Sequence, residues 1–225
     1  MFGSFKRLLG SGPSRKGGQG SVLSDWAHAQ GHAFKTVKDK GGGGFVVLSS
    51  SGLWRLEWGA SQRSYIDGQE LRFRCESTLA PDVQVLVISK VLAQALETEV
   101  YSSFTNAMQT QVDNTLPDEM RWLPMHPKVA VSGAEVLSRR FSILSNADVV
   151  TRQWLEGDLL TALEDAASGW WTDALIVVMT INRGRLTLRM MGDDLDAAQL
   201  TAVSELFEVA SRSLRAVAIA QPAQS

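Results

Sequence analysis

The chain has 225 residues, 44% of them hydrophobic and 20% charged, with a formal net charge of −2 and a single cysteine. That length supplies a full core in one large domain or two small ones, and the lone Cys75 excludes an intramolecular disulfide and suits a cytoplasmic location. The charge is uneven: residues 1–20 carry Lys6, Arg7, Arg15 and Lys16 and no acid (+4), while the remaining 18 basic and 24 acidic side chains give −6, which argues against nucleic acid as a main partner.

Phe2, Phe5, Leu8 and Leu9 are spaced so that a short helix would carry them on one face, with Lys6 and Arg7 beside it. Weak peripheral membrane contact through residues 1–16 is one reading of that face; a frayed terminus is the plainer one. No apolar stretch of signal-peptide type follows. The longest apolar run, 174–179, is far below the roughly 20 residues that span a bilayer. Residues 10–21 are rich in glycine, serine and basic side chains and read as a linker. Residues 1–21 are therefore expected to form a flexible basic tail, and 22–225 a single domain.

Ser24 is placed to cap a helix through about Gly31, with Trp26 on its apolar face. The glycines at 41–44 break the chain. Residues 45–49 and 53–58 then read as two strands around Ser51-Gly52, with Trp54, Leu56 and Trp58 facing one way and Arg55 and Glu57 the other. Leu71, Phe73 and Cys75 alternate with Arg72, Arg74 and Glu76, which predicts a third strand with one wet face. Residues 83–88 have strand composition, and 89–108 read as a long helix through Leu92, Leu96, Val100 and Phe104.

Residues 115–128 contain three prolines and little periodicity, so they read as a connection. A short strand at 129–132 and a better one at 141–145 follow. Asp148 opens a helical region that Gly157 breaks and Ser168-Gly169 ends. Residues 175–181 and 186–190 form the clearest hairpin, turning at Asn182-Arg183-Gly184-Arg185. Asp196 and Gln199 resemble a capping box ahead of a strongly amphipathic terminal helix through Leu200, Val203, Phe207, Ala210, Leu214 and Val217. The predicted architecture is α+β: antiparallel sheet flanked by helices, in the order helix, three strands, helix, an insert of about 113–170, two strands, helix.

An internal echo cuts across this order. Arg72-Phe73 followed by Asp82-Val83 and Ala95-Leu96-Glu97 matches Arg140-Phe141 followed by Asp148-Val149 and Ala162-Leu163-Glu164. Taken at face value it suggests two related halves, 22–112 and 129–220. The offsets of 68, 66 and 67 residues between matched positions require small gaps.

Signals for chemistry are sparse. Asp25, His28 and His32 have helical spacing, but a polar surface face explains them better than a metal site. Cys75 sits on the apolar side of its strand and reads as a small buried hydrophobe rather than a nucleophile. No catalytic, metal or cofactor motif is assigned. Two loop segments, 58–71 and 117–125, and the Trp170-Trp171 pair are instead rich in groups that suit recognition. The candidate binding residues are Gln62, Arg63, Tyr65, Arg121, Trp122, Trp170 and Trp171.

The two loop segments are similar to ones in uncharacterised bacterial proteins of unknown function, a resemblance that covers most of the chain after residue 22. The order of elements resembles that of type III secretion chaperones and related small bacterial proteins. That resemblance implies binding of an extended segment of a partner chain, and a homodimer. The resulting expectation is a non-enzymatic cytosolic adaptor or chaperone-like protein that binds another polypeptide. The alternative is a small-molecule-binding or hydrolase domain whose site is assembled from loops.

Overall fold

The computed structural model describes residues 16–39, 42–106 and 116–220. Its centre is one sheet built from β1 (Ala33–Asp39), β2 (Gly42–Leu48), β3 (Arg55–Ala60), β4 (Gln69–Glu76), β5 (Val85–Ser89), β6 (Phe141–Ser145), β7 (Val177–Asn182) and β8 (Arg185–Met191). The eight strands lie in the order β1-β2-β3-β4-β8-β7-β5-β6, and every pairing is antiparallel. The helices are α1 (Lys16–Ala29), α2 (Lys90–Asn106), α3 (Asp118–Met125), α4 (Glu135–Arg140), α5 (Asp148–Leu155), α6 (Asp158–Ser168) and α7 (Ala197–Ala220). The α+β class expected from the sequence is the class observed.

Alternation along each strand divides the side chains between two faces. Leu56, Trp58, Leu71, Phe73, Cys75, Val85, Val87, Met179, Leu186 and Leu188 enter the larger core, together with Leu200, Val203, Phe207, Ala210 and Leu214 of α7. The α7 N-terminus is held as its spacing predicts, the Asp196 carboxylate accepting from the Gln199 backbone N–H at 2.9 Å. On the other face Leu86, Ile88, Leu144 and Val178 pack with Ala93, Leu96 and Val100 of α2 and Met120, Trp122 and Leu123 of α3. This smaller core covers only the β7-β5-β6 side of the sheet.

Several boundaries differ from expectation. The first helix begins at Lys16, inside the stretch read as linker. Residues 1–15, and with them most of the expected tail and membrane contact, lie outside the described residues. β1 occupies a stretch where no strand is expected, and Gly43 and Gly44 belong to β2 rather than to a break. Residues 118–125 form a helix rather than a connection: Pro117 sits at its N-cap, where a missing N–H costs little, and Pro124 falls only in its last turn. Residues 129–132 form no strand, and Glu135–Arg140 is a helix ahead of β6. Five strands, not three, precede the long helix α2, so the order departs from the chaperone-like pattern.

The echo builds different elements. Asp82-Val83 leads into β5, whereas Asp148-Val149 opens α5 directly. β4 and β6 are not neighbours; β6 is an edge strand paired with β5 from Val85↔Ser145 to Ser89↔Phe141. The segment 113–170 is not an appendage either, since β6 completes the sheet and α5 and α6 pack on α7.

Candidate functional site

The second face of the sheet changes character across its width. Toward β5 and β6 it is apolar and covered by α2 and α3. Toward β3, β4 and β8 it is ionic. Glu57, Arg72 and Arg189 lie side by side in one cross-strand row, and Arg55, Arg74 and Thr187 in the next but one. The Glu57 carboxylate meets Arg55, the Arg72 Nε at 3.5 Å and the Arg74 Nη1 at 3.5 Å. Glu70, fully buried, accepts from Arg189 and from the Gln62 backbone N–H at 2.9 Å.

This face is not the wet face that alternation in the third predicted strand implies. Arg72 and Arg189 are each 8% exposed. They are tolerated because their charges are partnered across strands and because Tyr65 and Ile66, from the loop between β3 and β4, fold into the smaller core beside them. The same loop reaches α3. Glu119, 1% exposed, accepts from the Arg63 Nε and from the Tyr65 hydroxyl.

The electrostatics follow from burial and pairing. Burial, then the neighbouring Glu119 carboxylate, push the Tyr65 phenol well above its ordinary value, so it stays protonated and donates. Burial disfavours the charged Arg63, but Glu119 outweighs it and the guanidinium is held above its ordinary value. Arg74 is moved the other way: burial lowers it, Glu57 opposes, and Arg72, Arg189 and Arg55 add to the lowering.

The candidate residues divide between the two faces. Gln62 is exposed, Arg63 half-buried, and Tyr65 and Trp122 buried in the smaller core. Arg121 pairs with Asp118, which also accepts from the Asn182 amide at 2.8 Å. Arg121, Trp122, Asp118, Gln84 and Met125 line a small cleft of about 210 Å³. The two recognition-rich segments thus meet, Glu119 of the second accepting from Arg63 and Tyr65 of the first. Trp170 and Trp171 lie with the larger core instead. Trp171 is fully buried against Phe141, and half-buried Trp170 stacks on it at 5.9 Å. Arg140 donates to the Trp171 carbonyl at 2.6 Å and to Asp173 at 3.0 Å.

No family model matches the chain, and no curated protein matches it. Among solved structures the chain is similar to the crystal structure of the mycobacterial trehalose monomycolate transport factor A, with a TM-score of 0.49 at 12% sequence identity. The similarity covers 88% of this chain and 95% of that one.

The two sheet edges differ. At β6 the backbone is met by the preceding segment: the Val129 N–H donates to the Ile143 carbonyl at 2.8 Å, and the Ser145 N–H to the Pro127 carbonyl at 3.1 Å. At β1, no strand among the described residues pairs with the outer side. Ala33, Lys35, Thr36, Val37 and Lys38 are exposed along it. Among the described residues no group of three His, Cys, Asp or Glu is placed to hold a metal ion, and no helix is long and apolar enough to cross a membrane.

Sequence reasoning does not single out Glu57, Arg72, Arg74, Glu119 or Arg189 as site residues. A signal exists in the density of arginine and glutamate at alternate positions of residues 55–57, 70–76 and 185–189. It was masked by the ordinary rule that the polar side of an alternating strand faces solvent.

Proposed function

We propose that the protein is a non-enzymatic adaptor or chaperone-like factor that binds another polypeptide, by adding an extended partner segment to β1. The observation that carries the reading is the contrast between the edges: β6 is closed by residues 127–129, whereas β1 offers seven residues of strand whose outer side no strand among the described residues pairs with. An open edge is a template for main-chain hydrogen bonding, and strand addition is a recurrent mode of peptide capture. Lys35 and Lys38 stand exposed on it. Edge lysines suppress indiscriminate pairing, and here they favour a partner strand with acidic side chains.

The test is site-specific photocrosslinking in cells with benzoylphenylalanine at Thr36 or Val37, and at Val149 on α5 as a control of 67% exposure. The expected result is a discrete adduct with another polypeptide from the β1 positions only. Thr36→Pro, introduced with the crosslinker at Val37, should abolish it, because the Thr36 N–H points away from β2 and proline withdraws that donor from the edge. Equal adducts from β1 and Val149, or none from β1, would overturn the reading. A β1 adduct with a second copy of this chain would make the partner strand a homodimer contact.

A further inference from the structure

The ionic face holds more cation than its own anions balance. Arg55, Arg72, Arg74 and Arg189 stand there against Glu57 and Glu70, an excess of two positive charges. Glu70 is committed to Arg189 and the Gln62 N–H. The other three arginines therefore share the single carboxylate of Glu57. Arg72 comes off worst. It is 8% exposed, its Nε and Nη1 are both buried without a hydrogen-bond partner, and its nearest carboxylate oxygen, at 3.5 Å, is within ion-pair range without forming a hydrogen bond. A buried charged donor without a hydrogen-bond acceptor is costly even beside a carboxylate. A water molecule would supply an acceptor but no charge.

We propose that this face is an oxyanion site centred on Arg72, with Arg74 and Arg55 as its outer wall, that binds a phosphate or carboxylate group. Guanidinium is the side chain suited to it, since its planar fork presents parallel donors to two oxygens of one anion. The site opens outward through Arg74 and Arg55, whose side chains are 21% and 50% exposed. The site lies on β3 and β4, two and three strands from the β1 edge. It therefore stands or falls independently of strand addition there.

Isothermal titration of the full chain at low ionic strength with inorganic phosphate and with citrate tests the proposal, chloride at matched ionic strength serving as the reference. Saturable binding of at least one of the two is expected, weakened about tenfold or more in Arg72→Met and in the less buried Arg74→Gln. Arg139→Gln, on an exposed pair of α4, should bind as the parent does. Glu57→Gln removes the resident competitor and should move the other way: tighter binding, or, where the variant is unstable, recovery of its melting temperature on adding phosphate. Preference between the two probes distinguishes a phosphate from a carboxylate ligand. No saturable binding of either probe, affinity unchanged in both arginine variants, or failure of phosphate to rescue or tighten Glu57→Gln would each overturn the assignment.

Discussion

At the scale of single residues, the junction between the β3–β4 loop and α3 rests on one carboxylate. Glu119 is buried and accepts from both Arg63 and Tyr65. Because the Tyr65 phenol is raised well above its ordinary value, it remains a donor across the whole range in which the protein is handled. Tyr65→Phe deletes that donor, keeps the ring in the smaller core and leaves Glu119 with Arg63. The expected cost is about 1.5–3 kcal/mol, the range for a hydrogen bond to a charged group, read as a lower denaturant midpoint at unchanged slope. An unchanged midpoint would mean that Tyr65 contributes by packing alone. Tyr65, Arg63 and Trp122 are legible in the sequence as an unusual concentration of specific groups on two loops. Glu119 is not, since a lone glutamate among Pro117-Asp118-Glu119-Met120 looks like any acid at a helix start. Only the folded chain turns it inward, where two donors from 54 and 56 residues away reach it.

At the scale of elements, what was legible is what carries its signal locally. The β7–β8 hairpin is the clearest case. Arg183 and Gly184 both have positive φ, 51° and 68°, as a two-residue turn of the primed kind requires. A Cβ on Gly184 would also stand 3.0 Å from the Ser77 carbonyl. Gly184→Ala should therefore cost about 1–2 kcal/mol through left-handed strain. Arg183→Asn should gain about 0.5 kcal/mol, because asparagine tolerates that region better than arginine. Paired urea melts of the two variants check both signs, and a Gly184→Ala midpoint equal to the parent's would show that the turn relaxes without strain. The elements that escaped notice lack such local marks. β1 is an edge strand, exposed on most of its length, so Ala33 to Lys38 show little alternation. α3 carries prolines near both ends, and composition does not distinguish a proline-bounded helix from a loop. The echo failed for the opposite reason: Asp82-Val83 and Asp148-Val149 have the same local marks, but the first leads into β5, which tertiary pairing holds in the sheet, and the second opens α5.

At the scale of the whole molecule, two histidines on different parts of the fold should give its stability a shared pH dependence. His32 lies between Trp26 and Trp54, with ring centroids 5.4 and 5.1 Å away, and its Nδ1 accepts from the Ser50 N–H at 3.2 Å. Burial lowers its pKa from 6.5, against an opposing pull from Glu208. His126 sits beyond α3, beside Trp122 and hydrogen-bonded to Gln84 at 2.8 Å. Burial lowers it from 6.5 as well, against a hydrogen bond to the Met125 backbone. A histidine whose folded value is depressed binds a proton more readily in the unfolded chain. Its contribution is therefore complete above about pH 6.5 and is lost as pH falls through the folded value. Both residues are only half-buried, so the effect is modest. Denaturant midpoints should fall between pH 7.5 and pH 5.5, before carboxylates begin to titrate at their ordinary values near 4. His32→Gln and His126→Gln should each flatten the slope in part, and the double variant should remove most of it. A double variant that keeps the parent's slope would place the acid sensitivity elsewhere in the fold, with the ionic face of β3, β4 and β8 as the next group of charges to test.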